Sequence, residues 1–292
     1  MSMSSRDPVS AQFGAEGMRR FRVGAAADVR LPDSARAGLE ETGVPLQVPP
    51  YFTAAGESDA LQLGTFAAHT GLPRPVTGFE GWLRVGHDGL AHLCVRPDGA
   101  LQAVMLEGGE EDLFVSSDLE AFNASLGVLD RLLPVIATSS GLSEAAGVFR
   151  ELNDELRAVD PEAFSEREGW WPRVLDDVRH TLNFPFSAAF EYVDNAGEKH
   201  IVTEATGPGR AHPEELVWRE LSARGVAAGQ VRRVFCELQA CMMPGHYCAV
   251  WMQRLFPQAE FTHAFDYGSD AESREAGLKA LITHTAEQAG RR

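Results

Sequence analysis

His212, Glu214, Cys241 and Cys248 are the residues of this chain whose types and spacing can do chemistry together. They fall in one stretch, HPEELVWRELSARGVAAGQVRRVFCELQACMMPGHYC. One imidazole and two thiolates offer three nitrogen and sulfur ligands. That is the ligand count of a catalytic zinc, which keeps its fourth tetrahedral position for water. A glutamate two residues after the histidine can move protons to and from that water. The chemistry expected is hydrolysis, with Zn2+ on His212, Cys241 and Cys248 and with Glu214 as acid and base.

The elements predicted around these residues bring them to one edge of a sheet. Pro213 suits the first position of a helix, where its missing N–H costs nothing. His212 then stands at the helix mouth and Glu214 in the first turn, where the helix dipole favours an ionised carboxylate. VRRVFCEL reads as a strand ending near Leu238, so Cys241 emerges just past it. Cys248 opens the next helix, whose N-terminus is expected to lower its pKa. An H-x-E alone usually marks a surface helix, and a cysteine pair alone usually marks two buried thiols. It is their joint placement at strand end and helix mouths that points to a metal.

Other residues in the stretch carry alternative roles. His246, inside the cysteine loop, would as a fourth ligand close the site into a structural one. Glu215 competes with Glu214, but lies about 100° round the helix and is expected on the solvated face. Cys94 and Cys236 read as core strand positions. Trp218, Trp251 and Phe256 fall at helical spacing and read as core. Tyr267 and Arg274 read equally as substrate contacts or as surface.

The 292 residues suggest about two domains, with an ordinary globular balance of 44% hydrophobic and 23% charged residues. Four cysteines, no apolar signal core in MSMSSRDPVSAQFG and no long apolar run lead us to expect a reduced cytoplasmic protein without a membrane span. Net charge is −16. Residues 1–159 carry 12 Lys and Arg against 22 Asp and Glu, a net of −10; residues 160–292 carry 14 against 20, a net of −6. Neither half has the basic footprint of a protein that holds nucleic acid non-specifically. A local basic pocket, a small nucleotide or a basic protein partner stays compatible with that balance.

Along the chain, SARAGLEETG suggests a short helix, and strands begin near YFTAAGE and ALQLGTFA. WLRVGHDGLAHLCVRPDGALQAVMLEGG alternates in short apolar runs broken by Asp88-Gly89 and Asp98-Gly99, hairpin signals that predict a meander of about three strands. Ser117 is the expected N-cap of a helix whose Leu119, Phe122, Leu126, Leu129 and Leu133 share a face. The N-terminal half is therefore expected to be an α+β domain with an antiparallel sheet. Further helices are expected up to Asp160-Pro161 and from Gly169-Trp170-Trp171-Pro172. The second half opens on a hairpin, SAAFEYV with EKHIVTEA, then alternates helix and strand. That pattern predicts a three-layer α/β fold. The boundary is placed near 140, giving domains 1–140 and 141–292, the latter with a core of about 187–288.

At this point the residues carry a resemblance. EELVWREL, VRRVFCELQACMMPGHYCAVWM, FPQAEFTHAFDYG and SREAG resemble the deaminases of bacterial polymorphic toxin systems, over roughly residues 189–277. The resemblance implies a cytidine deaminase-like fold, zinc on His212, Cys241 and Cys248, and Glu214 as proton carrier. It implies a nucleotide or single-stranded nucleic acid as substrate, with cytosine ahead of adenine. Two departures stand out. The family signature is H-x-E with P-C-x-x-C, whereas Ala240 precedes Cys241 here and six residues separate the cysteines.

LQLGTF, the WLRVGHDGLAHLCVRPDGALQAVM meander and VSSDLEAFNASLGVLDRLLP resemble SUKH superfamily immunity proteins, over about residues 20–135. That resemblance implies a protein partner, a toxin or immunity component, and no catalytic residues in this half. Glu107, Glu110, Glu111 and Asp112 read first as a solvated loop, and otherwise as part of an acidic face towards a basic partner. The resulting expectation is a zinc deaminase fused to a protein-binding domain. The alternatives are a non-catalytic immunity or sequestration protein with a structural zinc, and a disulfide-bonded or redox cysteine pair without metal.

Overall fold

The structure is a computed structural model that describes residues 8–24, 31–75, 77–107 and 112–290. The segment 1–7 and two members of the proposed acidic face, Glu110 and Glu111, lie outside the described residues. By its internal contacts the chain divides into two compact units, residues 1–133 with 150–174, and residues 134–149 with 175–292.

The first unit opens with α1 (Pro8–Phe13), β1 (Met18–Arg19) and α2 (Asp33–Ala37). Short strands follow: β2 (Val44–Pro45), β3 (Gln47–Val48), β4 (Phe52–Ala54) and β5 (Leu61–Gln62). LGTFAAHT is α3 (Leu63–Thr70), not a strand, ended by Gly71 in the left-handed region. The meander is β6 (Leu83–His87), β7 (His92–Val95), β8 (Leu101–Val104) and β9 (Asp112–Ser116). The segment 82–109 holds the three strands expected of it, β6 to β8, and β9 adds a fourth beyond it. The antiparallel sheet runs β3-β4-β6-β7-β8-β9, with β5 also paired to β6. Both Asp-Gly signals make turns, with Gly89 at φ 111° and Gly99 at φ 93°.

Three helices come next: α4 (Leu119–Thr138), α5 (Leu142–Val159) and α6 (Trp170–Asn183). Leu119, Phe122, Leu126, Leu129 and Leu133 are all buried, as their spacing required. The N-cap of α4 is Asp118, whose Oδ1 accepts the Ala121 N–H at 2.8 Å. Ser117 is drawn elsewhere, its hydroxyl donating to Asp160 Oδ1 at 2.6 Å.

The second unit carries β10 (Ser187–Val193), β11 (Lys199–Ala205), α7 (Pro213–Ala223), β12 (Val231–Leu238), α8 (Cys248–Leu255), β13 (Glu260–Phe265) and α9 (Ala271–Gly290). Its sheet order is β11-β10-β12-β13, and β12 with β13 is the parallel pair. Ala188, Phe190, Val234, Cys236 and Leu238 share one face and join Val217 and Leu221 of α7, Met252 of α8, and Leu278 and Leu281 of α9 in a single core. Among the described residues of this unit, the opposite sheet face has no buried strand side chain. Ile201 on that face is 68% exposed and Phe235 41%. Within this unit the buried strand side chains all lie on one face of a mixed sheet. The reason is legible in the side chains: Thr203, Arg233, Glu237 and Thr262 make the second face too polar to bury against helices. No helix of the described residues is long and apolar enough to cross a membrane.

Candidate functional site

The site forms where β12 ends and α7 and α8 begin. The six residues between the cysteines fold back instead of spreading. His246 and Tyr247 both donate their N–H to the Met243 carbonyl, at 3.2 and 3.1 Å, and the Ala249 N–H donates to the Cys241 carbonyl at 3.1 Å. Gly245 supplies a φ of 80° for the turn, and Tyr247 sits at φ 45°, ψ 44°, just before Cys248. A left-handed conformation costs a non-glycine residue about 1–2 kcal/mol. Burial of the Tyr247 side chain holds it there. The long spacer therefore brings the two cysteines side by side.

Cys241 Sγ lies 3.3 Å and Cys248 Sγ 3.6 Å from His212 Nδ1. The three ligand atoms fall within 4.8 Å of one another, and all three residues are buried. Zinc bonds of about 2.3 Å to sulfur and 2.0–2.1 Å to nitrogen would separate tetrahedral N and S ligands by about 3.5 Å. The residues therefore fit zinc in donor type and spacing. All four cysteines are free thiols.

A carboxylate on α6 holds this arrangement from behind. His212 Nε2–H donates to Asp177 Oδ1 at 2.9 Å, leaving Nδ1 towards the thiols. Asp177 Oδ2 takes the second imidazole, His246 Nε2, at 3.2 Å. His246 Nδ1 donates to Glu215 Oε2 at 2.9 Å, and the same oxygen accepts the His212 backbone N–H at 3.0 Å. The two imidazoles stack, with centroids 3.8 Å apart and planes 5° from parallel. His246 is thus committed at both nitrogens and is no fourth ligand. Glu215 is not on a solvated face; it caps α7 and anchors His246. Asp177 was missed in the sequence. Its signal was there, since Val174, Asp177, Val178 and Thr181 share the buried stripe of α6.

Opposite charges meet within the cluster. Burial would push the Asp177 carboxyl up, but His212 and His246 outweigh it and hold it well below the usual range. Burial likewise disfavours charge on His212, yet Asp177 and Cys241 raise its pKa well above normal. His246 rises to about 9, because Asp177 and Glu215 overcome burial and the neighbouring His212. Burial opposes ionisation of both thiols. Hydrogen bonding from Cys248 and the charge of His212 nonetheless bring Cys241 down, while Cys248 is driven up by burial and by Cys241. The expectation that the helix N-terminus lowers Cys248 is thereby reversed. Of the two, Cys241 is the more readily ionised.

Glu214 is buried beside this cluster, and its Oε2 has no hydrogen-bond partner. Burial raises its pKa, Cys241 adds to the rise and His212 opposes it. Desolvation thus overrides the helix-dipole argument for an ionised Glu214. The Cys236 thiol, buried as expected, hydrogen-bonds to it. Cys94 is buried in β7. Glu214 opens on a pocket lined by Asp177, His180, Phe186, His212, Leu238, Gln239, Cys241 and Tyr267. Its cavity volume is about 10 Å³, room for a single water. Neither Tyr267 nor Arg274 is at the surface. The Tyr267 hydroxyl meets His180 Nδ1, and Arg274 Nη1 donates to the Ser269 carbonyl at 2.8 Å. Trp218, Trp251 and Phe256 belong to the core of the unit, as their spacing predicted.

Two family models match the chain on either side of α6's last turns. The model of the SUKH-4 immunity protein matches residues 4–177. The chain belongs to the SUKH-4 immunity protein family. The model of the Xanthomonas-like deaminase matches residues 185–284, so this SUKH-4 family member also carries a deaminase domain. That match contains His212, Glu214, Cys241 and Cys248 but not Asp177 or His180. No curated protein and no solved structure matches the chain.

Proposed function

We propose that the second unit catalyses zinc-dependent hydrolytic deamination of a nucleobase, and that the SUKH-4 part binds a protein partner in a bacterial toxin–immunity context. The observation that carries this reading is a buried carboxyl oxygen without a partner, on Glu214, in the pocket shared by His212 and Cys241. His212 Nδ1, Cys241 Sγ and Cys248 Sγ would hold the metal, with Asp177 keeping the His212 tautomer. Zinc, when bound, supplies the Lewis acidity that lets water lose a proton near neutral pH. Glu214 takes a proton and returns it, first to the ring nitrogen and then to the departing amine. Water replaces the ring amino group by oxygen, and ammonia leaves. The resemblance puts cytosine ahead of adenine as the target. A free nucleotide and a single-stranded nucleic acid are both compatible with the site, and the lining side chains must part to admit either base.

The test is ammonia release by purified, zinc-loaded protein from cytidine, adenosine, their nucleotides and single-stranded DNA and RNA. Release that vanishes in Glu214→Gln supports the reading. A protein that keeps one zinc and releases no ammonia from any of them would replace it with the second reading, a non-catalytic immunity or sequestration protein with a structural zinc. The tightness of the pocket is the observation in favour of that second reading. The SUKH-4 part is the part for which a partner is sought. Its net acidity favours a basic protein whose binding weakens with salt.

A further inference from the structure

One polar wall of the Glu214 pocket has no part in metal holding or proton transfer. Tyr267 follows β13, and its hydroxyl oxygen lies 2.5 Å from Nδ1 of His180 on α6. Both side chains are buried, and both line the pocket with Glu214. On the far side of the His180 ring, Arg179 Nη2 lies 3.5 Å from Nε2. The two protons of that Nη2 go to Asp176 Oδ1 and Glu275 Oε1, at 2.9 Å each. The guanidinium's positive charge nonetheless disfavours an N–H aimed at it, so the ring nitrogen facing it carries no proton. Burial, helped by Arg179 and Arg274 and opposed by Asp176 and Asp177, holds the His180 pKa down at about 4. The ring is therefore neutral at physiological pH, with its one proton on Nδ1. Nδ1–H donates to the Tyr267 oxygen. The phenol's own proton is then left for another acceptor.

The position of that hydroxyl is fixed from two more sides. The Tyr267 backbone N–H donates to Gln239 Oε1 at 3.1 Å. Gly277 of α9 passes so close to the end of β13 that a Cβ there would lie 1.8 Å from the Asp266 carbonyl oxygen. Tyr267 is thus held in a tight corner, with its hydroxyl directed by His180.

We propose that Tyr267 donates its hydroxyl proton to a carbonyl oxygen of the bound base, which selects a cytosine-type ring, and that His180 is the positioning residue that aims this donor. The proposal rests on the deaminase reading of the pocket. Cytosine carries a carbonyl next to the ring nitrogen that Glu214 would protonate. Adenine has a C–H at the corresponding place. A donor buried against that C–H loses its partner, and such mismatches discriminate strongly.

The experiment uses full-length, zinc-loaded Glu214→Gln protein, in which turnover is silenced. It is titrated by calorimetry with cytidine 5′-monophosphate and with adenosine 5′-monophosphate, with and without Tyr267→Phe. We expect the cytidine nucleotide to bind more tightly than the adenosine nucleotide. Tyr267→Phe should weaken the cytidine nucleotide about tenfold, the worth of one hydrogen bond, and leave the adenosine nucleotide and zinc content unchanged, while the orphaned His180 Nδ1–H lowers the thermal midpoint. His180→Asn, which keeps a donor near the Nδ1 position, should retain the preference that His180→Leu loses. No binding of the cytidine nucleotide, equal binding with and without the Tyr267 hydroxyl, or tighter binding of the adenosine nucleotide would overturn the proposal. Cytidine binding that depends on Tyr267, in a protein whose wild type releases no ammonia, would support the subsite and overturn the deaminase reading.

Discussion

Asp177 Oδ1 lies 2.9 Å from His212 Nε2, although 35 residues separate the two in sequence. Through this contact α6 sets which nitrogen of His212 faces the thiols. If His212 is a metal ligand, Asp177→Asn removes the acceptor that fixes its tautomer. Zinc affinity should then fall about 10- to 100-fold, as for other residues that orient ligating histidines. Competition with a chromophoric chelator measures it. An unchanged affinity would mean that the carboxylate does not set the ligand's tautomer.

The convergence of His212, Cys241 and Cys248 predicts one zinc per chain. Cys241→Ala should lose the metal, whereas Cys94→Ala, a substitution in the first unit's sheet, should keep it. Elemental analysis of protein purified without added metal checks both. Metal content near zero that stays there after zinc addition would remove the site.

Glu214 and Glu215 are neighbours with opposite expected phenotypes. Glu214→Gln should keep the zinc and the thermal midpoint but lower kcat by at least about 10²-fold, because an amide cannot shuttle protons. Glu215→Gln instead weakens an ion pair with His246 and the cap of α7. It should cost about 1–3 kcal/mol of stability while leaving measurable activity. Calorimetric melting alongside the ammonia assay separates them, and the reverse pattern would exchange their roles.

In the first unit, Asp160 accepts hydrogen bonds from the Ser116 hydroxyl at 2.6 Å, the Ser117 hydroxyl at 2.6 Å and the Ser117 N–H at 2.8 Å. Burial would raise its pKa, but these donors win and hold it below the ordinary value. A depressed carboxylate contributes its full stability above the unfolded pKa of about 3.9, and loses it as pH falls from there through the folded value. Asp160→Asn should cost about 2–3 kcal/mol at pH 7. The difference from wild type should shrink below pH 4. Urea melts at pH 7 and pH 3 test this, and a pH-independent difference would show that the charge of Asp160 is not what its partners hold.

Much of the second unit was written locally. Pro213 marked the first residue of α7, the alternation of VRRVFCEL marked β12 from end to end, and the candidate ligands His212, Cys241 and Cys248 were visible because they cluster at element ends. Backbone preference and period act over a few residues, so a linear reading captures them. The meander's turns at Gly89 and Gly99, and the apolar stripe of α4, were legible for the same reason. The partners of those residues were not. Asp177 reaches His212 only when α6 comes against the mouth of α7, and the role of His246 shows only once Asp177 and Glu215 flank it. The directions of the Glu214 and Cys248 pKa shifts went against the helix-dipole argument, because desolvation depends on what the whole unit stacks over a side chain. The sheet's open face was decided the same way, by which strands came to lie side by side and by the polar row they formed together. Sequence determined which residues could do the chemistry; tertiary packing decided their protonation, their orientation and the company they keep, since charge and burial are properties of a neighbourhood in space.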